Sequence, residues 1–278
     1  MANIRETEPA PLAEEFKQGD ILRFIDQDDK SSYPRWGVII NADCDLAHCR
    51  IDGVVSYLPI YSFKDYLTQF WIPTYLNNRK TELAQQLCAV CDLPADSSEE
   101  LIQWLREEEF STVLGKCINQ FRLRRSQLES KLRELSLITS ANNLNLGALL
   151  ETLAAQGQSV DAHFERLAKN ALRGLGDSQF FLNEICGEPD FGYVVRMRRI
   201  YGISTEHIFR SFQDFSVVHS GNEACGFRIA RLSNLYRFKI AQIFAHQFSR
   251  IGLPDEITSL NTFAAEAAIS SLVENRHA

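Results

Sequence analysis

The chain has 278 residues, 45% hydrophobic and 23% charged, with 29 Lys and Arg against 36 Asp and Glu. Such a length makes one large domain or two small ones, and the hydrophobic share excludes wholesale disorder. No run of about eighteen apolar residues occurs, which excludes a membrane-spanning helix. The net charge of −7 argues against a protein that coats nucleic acid over its whole surface.

Residues 1–15 read as a flexible, acidic lead-in. They lack the basic start and apolar core of a secretory signal, so a cytoplasmic location is expected. Residues 16–63 change pattern. Gly19-Asp20 precedes the apolar run 21–25, and a polar loop over 26–32 follows. Pro34 stands at the mouth of a second strand, 36–40, because proline cannot donate to a ladder. Asp52-Gly53 is a turn dipeptide opening a third strand, 54–60. Three strands on short connections make a small twisted sheet or barrel.

Residues 64–188 lose the strand signal. Helical spacing covers 80–91, 97–109, 111–137, 144–155 and 160–172. Asp96-Ser97-Ser98-Glu99-Glu100 is a helix start, with caps for orphan N–H groups and acids at the positive dipole end. On 111–137, Phe121, Leu128, Leu132 and Leu135 share one face, and Arg122, Arg124, Arg125, Lys131 and Arg133 lie mostly off it, on a face that reads as solvated in preference to one for phosphate or an acidic partner.

Residues 189–278 mix both signals. Strands are expected over 193–198 and 226–232, with a short helix capped at Ser204 between them. Leu235, Tyr236, Ile240, Ile243, Phe244, Phe248 and Ile251 predict one amphipathic helix, ended by Gly252 and Pro254, before an alanine-rich tail over 259–278. The fold class is therefore α+β, with β-elements near both ends and a large helical region between. Neither strand set closes a sheet alone, so the helices read as an insertion in preference to a separate domain.

Seven cysteines, an odd number without an export signal, argue against a disulfide framework. Cys88 and Cys91 have a zinc-like gap, and Cys44, His48 and Cys49 could add ligands. Yet Cys88 and Cys91 fall on an apolar helix and no second such pair follows, so no metal is expected. No phosphate-cradling or dinucleotide-binding glycine turn occurs, and no cofactor is expected.

The run Gly19-Asp20-Ile21-Leu22, then Pro34-Arg35-Trp36-Gly37-Val38-Ile39-Ile40, then Leu58-Pro59-Ile60-Tyr61-Ser62 resembles the MazF/PemK/Kid toxins. The resemblance implies an SH3-like barrel and metal-independent cleavage of single-stranded RNA, with Arg35 at the family's catalytic Arg and Ser62 where the family has Thr. Residues 38–46 together with 249–254 are also similar in pattern to uncharacterised proteins of bacterial phage-defence loci.

Two further groups are binding candidates. Asp43, Cys44 and Asp45 follow a strand, where acids cap the next turn, in preference to binding a cation or meeting a basic partner. A nucleophilic Cys44 with His48 as base is disfavoured, because flanking acids raise a thiol's pKa. Between Phe191 and Arg250 stand nine Lys or Arg against three acids, so the rest of the chain carries −13. This stretch includes Arg196, Arg198, Arg199, Arg231 and Arg237. It suits nucleic acid, an acidic protein surface, or the acidic part of the same chain. The expected function is a non-catalytic interaction subunit of a bacterial defence or toxin–antitoxin-type system, with another protein as partner. An endoribonuclease, or an adaptor binding RNA or DNA through the basic stretch, is the alternative.

Overall fold

A computed structural model describes residues 5–25, 34–122, 124–157, 159–176, 178–218, 224–249 and Phe263. The polar loop over 26–32, Gly252, Pro254 and, apart from Phe263, the alanine-rich tail lie outside these residues, as does any account of the Phe248 side chain.

The chain opens with β1 (Thr7–Glu8), β2 (Asp20–Ile25) and β3 (Trp36–Ile39). A one-turn helix, α1 (Asp43–Ala47), then leads to β4 (Val54–Ser62). Asp52 and Gly53 both take positive φ, 48° and 73°, and Val54 N donates to Ile51 O at 2.8 Å. That is the tight turn expected of the pair. β4 passes directly into α2 (Phe63–Tyr66), a π-turn (Leu67–Trp71) and α3 (Ile72–Val90). The helical series continues with α4 (Ser98–Glu107), α5 (Phe110–Phe121), α6 (Arg125–Ser140), α7 (Leu146–Ala155) and α8 (Val160–Arg173). Then come β5 (Gln179–Glu184), β6 (Phe191–Arg196), β7 (Tyr201–Ser204), β8 (Ile208–Phe209), α9 (Phe212–Val218), β9 (Cys225–Leu232) and α10 (Asn234–Ser249).

The nine strands among the described residues join one barrel-like sheet in the order β1-β9-β2-β3-β4-β6-β5, with β7 on β4 and β8 parallel to β9. β2 lies between β3 and β9, so the first strands need the last one as a neighbour. The helices α2 to α8 are inserted between β4 and β5, two members of the same sheet. Strand β5 lies inside the stretch read from sequence as helical, which corrects that boundary.

Both faces of the sheet are buried, which is why β2 reads as a nearly unbroken apolar run. Ile21 packs with Trp36, Leu58 and Val195 beneath Ile240 of α10. Its neighbour Leu22 points the other way, to Phe24, Ile39, Tyr57 and Ile208. The inserted helices have their own core, including Leu83, Leu87, Val113, Leu128 and Leu132. Tyr61, Tyr66 and Val194, with Phe63, Phe70 and Phe181, join the two bodies.

Four expectations are corrected. The helix over 111–137 is two helices, because Arg122 adopts the left-handed conformation (φ 51°) and ends α5. α5 folds back, so that Leu114 and Cys117 share a core with Leu128 and Leu132. The lead-in is docked from Arg5 onward: Thr7 pairs with Leu232, and Glu6 and Thr7 are buried. Ser204 caps only a single turn, Thr205–His207, before β8 begins. Leu235, placed by its spacing on the inner stripe of α10, is exposed.

The sheet's two ends approach each other without a backbone ladder. The Glu6 carboxylate accepts from the backbone and side-chain nitrogens of Asn183, and Thr7 Oγ1 accepts from Cys186 N at 2.8 Å. The side chains of Glu6 and Thr7 thus occupy donors of Asn183 in β5 and of Cys186 just beyond it, at an edge that would otherwise recruit another strand.

Candidate functional site

The junction of sheet and helices gathers several of the sequence candidates. Ser62 ends β4 and caps α2. Its Oγ accepts from Asp65 N at 3.0 Å and donates to Asp65 Oδ2 at 2.7 Å. The hydroxyl thus holds a helix start, as the spacing Ser62-x-x-Asp65 allows. Arg35 is exposed just before β3. Trp36 pairs with Ile60, so Arg35 stands beyond the paired end of β3, toward the Ser62 end of β4.

Tyr61 lies between them in register and is buried. Burial, then Tyr201, pushes its phenol up to about 12, and Arg196 and Arg199 pull the other way. The Tyr61 ring meets Phe70 edge-on at 4.9 Å, and the Arg196 guanidinium sits 4.0 Å above Phe70. That is a cation–π contact on a half-buried cation. Arg198 and Arg199 are exposed on the loop that follows, and Arg198 Nε donates to Gln247 Oε1 at 3.1 Å.

This loop exists because the strand beside β4 is forked. Ile60, Tyr61 and Ser62 pair with β6, whereas Val54 to Tyr57 pair with β7. Ile40 N donates to Ser56 O, so alternate residues from Ser56 to Ile60 face β3. Pro59 then faces the opposite neighbour, at the gap between β6 and β7. Having no N–H, it loses nothing where the partner strand leaves.

Four members of the basic C-terminal stretch, Arg210, Arg228, Arg231 and Arg237, pair with acids of the same chain. Asp20, fully buried, accepts from Arg228 Nη1 at 3.0 Å, from Arg231 Nε and from Lys17 N at 2.9 Å. Arg228 also donates to the backbone oxygens of Pro11, Glu14 and Glu15, tying the N-terminal segment to β9. Arg231 reaches Glu14 at 2.7 Å, and Arg237 reaches Asp43 at 3.1 Å. Arg231 and Arg237, named from sequence as binding residues, are thus each paired with an acid of the same chain, Arg231 mostly buried and Arg237 at a half-exposed pair. Among the described residues of the stretch Arg198, Arg199 and Lys239 are exposed, and Arg196 is half-buried against Phe70.

Asp43 begins α1, but its carboxylate does not cap that turn. Oδ1 accepts from Gln18 N at 2.8 Å, linking α1 to the approach to β2. Cys44 is exposed, and its thiol points to Asp45 Oδ1 at 3.7 Å. Cys88, Cys91 and Cys117 are buried. Burial raises all three thiols, with Cys91 at about 11, so they act as small apolar side chains. Among the described residues no group of three His, Cys, Asp or Glu is arranged to hold a metal ion.

Sequence reasoning missed the outer face of α10. Ile240 is buried on the sheet and Ile243 and Phe244 pack beside it, whereas Leu235 and Phe238 are 60% and 62% exposed. The helix is apolar on most sides, and its sequence shows this directly: Leu235, Tyr236, Phe238, Ile240 and Ile243 do not fall on one stripe. Comparison with protein families, curated proteins and solved structures finds no match for the chain.

Proposed function

We propose that the chain is a non-catalytic interaction subunit of a bacterial defence or toxin–antitoxin-type system, acting through protein–protein contacts. The observation that carries this reading is the outer face of α10. Leu235 and Phe238 hold large apolar side chains in water one helical turn apart, beside the charged Arg237. Aromatic anchors next to arginine are the usual centre of a protein interface. The toxin–antitoxin context rests on the resemblance carried by residues 19–62, and the defence context on the similarity in pattern of residues 38–46 together with 249–254. The test is native purification from the source cells, followed by mass measurement of the intact complex. The expected result is one partner at fixed stoichiometry, lost in Phe238→Glu while the melting temperature holds. A wild-type chain that runs strictly alone, or a Phe238→Glu chain that keeps its partner, overturns the proposal.

The second reading is a metal-independent endoribonuclease, favoured by the register that brings Arg35 and Ser62 to one end of the β3–β4 pair. In such a reaction the ribose 2′-oxygen attacks its own phosphorus and the 5′-oxygen leaves, while a guanidinium stabilises the charge on phosphorus. It predicts growth arrest on expression, relieved by Arg35→Ala. Absence of arrest and of RNA cleavage removes it. The adaptor reading retains Arg196, Arg198 and Arg199. It predicts binding to RNA or DNA that weakens with salt and with charge reversal at those three positions.

A further inference from the structure

Where α10 crosses the sheet it leaves a cavity of about 230 Å3. Val38, Ile40, Leu232, Ile240 and Phe244 give it apolar walls, and Arg237 brings a charge to it. The space has a local cause. Ile240 is seated on the sheet, but Ala241 and Ala245 carry only methyl groups, so the helix does not fill the ground beside Ile40. Ala245 is itself exposed, so the cavity reaches the surface there. Its volume is below that of drug-sized sites, which suits a ligand with one short apolar group.

Arg237 is held in place at this cavity. Its stem lies over Gly19, where a Cβ would stand 3.0 Å from Arg237 Cγ. Nη1 donates to Asp43 Oδ2 at 3.1 Å, and the Phe238 ring centre lies 5.0 Å from the guanidinium carbon. Asp43 Oδ1 accepts in turn from Gln18 N at 2.8 Å. Nε is different: it is buried and has no hydrogen-bond partner among the described residues. A buried N–H is almost always paired, because water does not reach it to stand in for a missing acceptor. Nε and Nη2 form the side fork of the guanidinium, the edge that a carboxylate takes with two parallel bonds. Asp43 is half-exposed, and its two bonds use half of the acceptor directions that a carboxylate offers.

We infer that this cavity binds a free α-amino acid with a compact apolar side chain, of the leucine class. The ligand carboxylate takes the Nε–Nη2 fork of Arg237, the ammonium bonds the open side of Asp43, and the side chain lies among Ile40, Ile240 and Phe244. Charge decides against a simple anion. Arg237 and Asp43 already neutralise each other, so a bare carboxylate would leave one negative charge in excess beside apolar walls. A zwitterion adds no net charge and meets both members of the pair. The spacing agrees, because the ammonium and carboxylate of an α-amino acid branch from one carbon and the two protein groups stand 3.1 Å apart. The apolar walls disfavour an amino acid whose side chain is charged. The bound molecule bridges α10 to α1 through these two residues.

The test is equilibrium dialysis of the full-length protein against radiolabelled L-leucine at constant pH and ionic strength. Two analogues compete separately: isocaproate, which lacks the ammonium, and isoamylamine, which lacks the carboxylate. The expected result is saturable binding of leucine, with each analogue about tenfold or more weaker because it loses a charged hydrogen-bonding group. Arg237→Gln should weaken leucine by a similar factor. Ala241→Leu, which fills the cavity and leaves the ion pair in place, should abolish binding, and its melting temperature shows that it is folded. Lys239→Gln, an exposed change on α10, should bind as the natural chain does. Leucine that does not bind saturably, isocaproate that competes as well as leucine, or binding that survives in a folded Ala241→Leu or Arg237→Gln chain overturns the inference.

Discussion

Replacing Asp20 by Asn tests whether the buried arginines of β9 depend on one carboxylate. The side chains of Arg228 and Arg231 are 1% and 11% exposed and that of Asp20 is fully buried, so water screens little of the interaction. Asn keeps the shape and one acceptor but removes the charge, leaving two guanidiniums with Glu14 at the rim. Removing one partner of a buried pair costs about 3–5 kcal/mol, against a total stability of about 5–15 kcal/mol. With an unfolding entropy of about 2.1 cal/mol/K per residue, a chain of 278 residues loses about 5–9 °C in melting temperature. Differential scanning calorimetry at pH 7 measures this directly. Asp43→Asn supplies the contrast: its pair with Arg237 is half-exposed, and the loss should stay under about 1 kcal/mol. In an Arg231→Met background Asp20→Asn should cost less than in the natural chain, because the two groups are coupled. An Asp20→Asn melt within about 2 °C of the natural protein, or equal losses for Asp20→Asn and Asp43→Asn, refutes the argument.

Other outcomes follow from the same structure. Glu14, hydrogen-bonded by Arg231 and Lys17, has its pKa lowered from 4.5 to about 2. A carboxyl depressed by folding contributes stability above its ordinary pKa and loses it as the pH falls toward the folded value. Glu14→Gln should thus flatten the stability profile between about pH 4.5 and 2, as urea unfolding across that window would show. Arg122→Gly relieves a left-handed backbone at the end of α5 and should raise stability by about 0.5–1 kcal/mol. Gly37→Ala drives a methyl group into the Tyr57 ring and to 3.0 Å from Phe24, at a cost of about 1–3 kcal/mol in chemical denaturation.

Much of the sheet was legible because β2, β3, β4 and β9 are rich in apolar and β-branched residues and bounded by turn signals. β5 was not. Gly176-Asp177-Ser178 before it is a turn signal, but Gln179-Phe180-Phe181-Leu182-Asn183-Glu184 does not alternate, and its pairing with β6 makes it a strand. The break at Arg122 carries no compositional mark, since glycine or asparagine is the usual sign of a left-handed cap. Ser62 was read only as the position of the family's Thr, and its local role went unread although an acid three residues on suits a serine to cap a helix. The charge asymmetry was visible, and pairing within the chain was one of its readings, but the particular partners were not. Asp20 and Arg231 lie 211 positions apart, and only the pairing of β2 with β9 brings them together.

That pairing also orders events during synthesis. β2, β3 and β4 emerge early, yet the neighbour of β2 begins at Cys225. At typical translation rates the intervening chain takes on the order of 10–30 s to appear. Throughout that interval the nascent chain presents an apolar strand with one side unfilled, while the helical insert folds on its local contacts. A chain halted before Cys225 keeps that side open permanently, and its expected fate is capture by a chaperone or edge-to-edge aggregation.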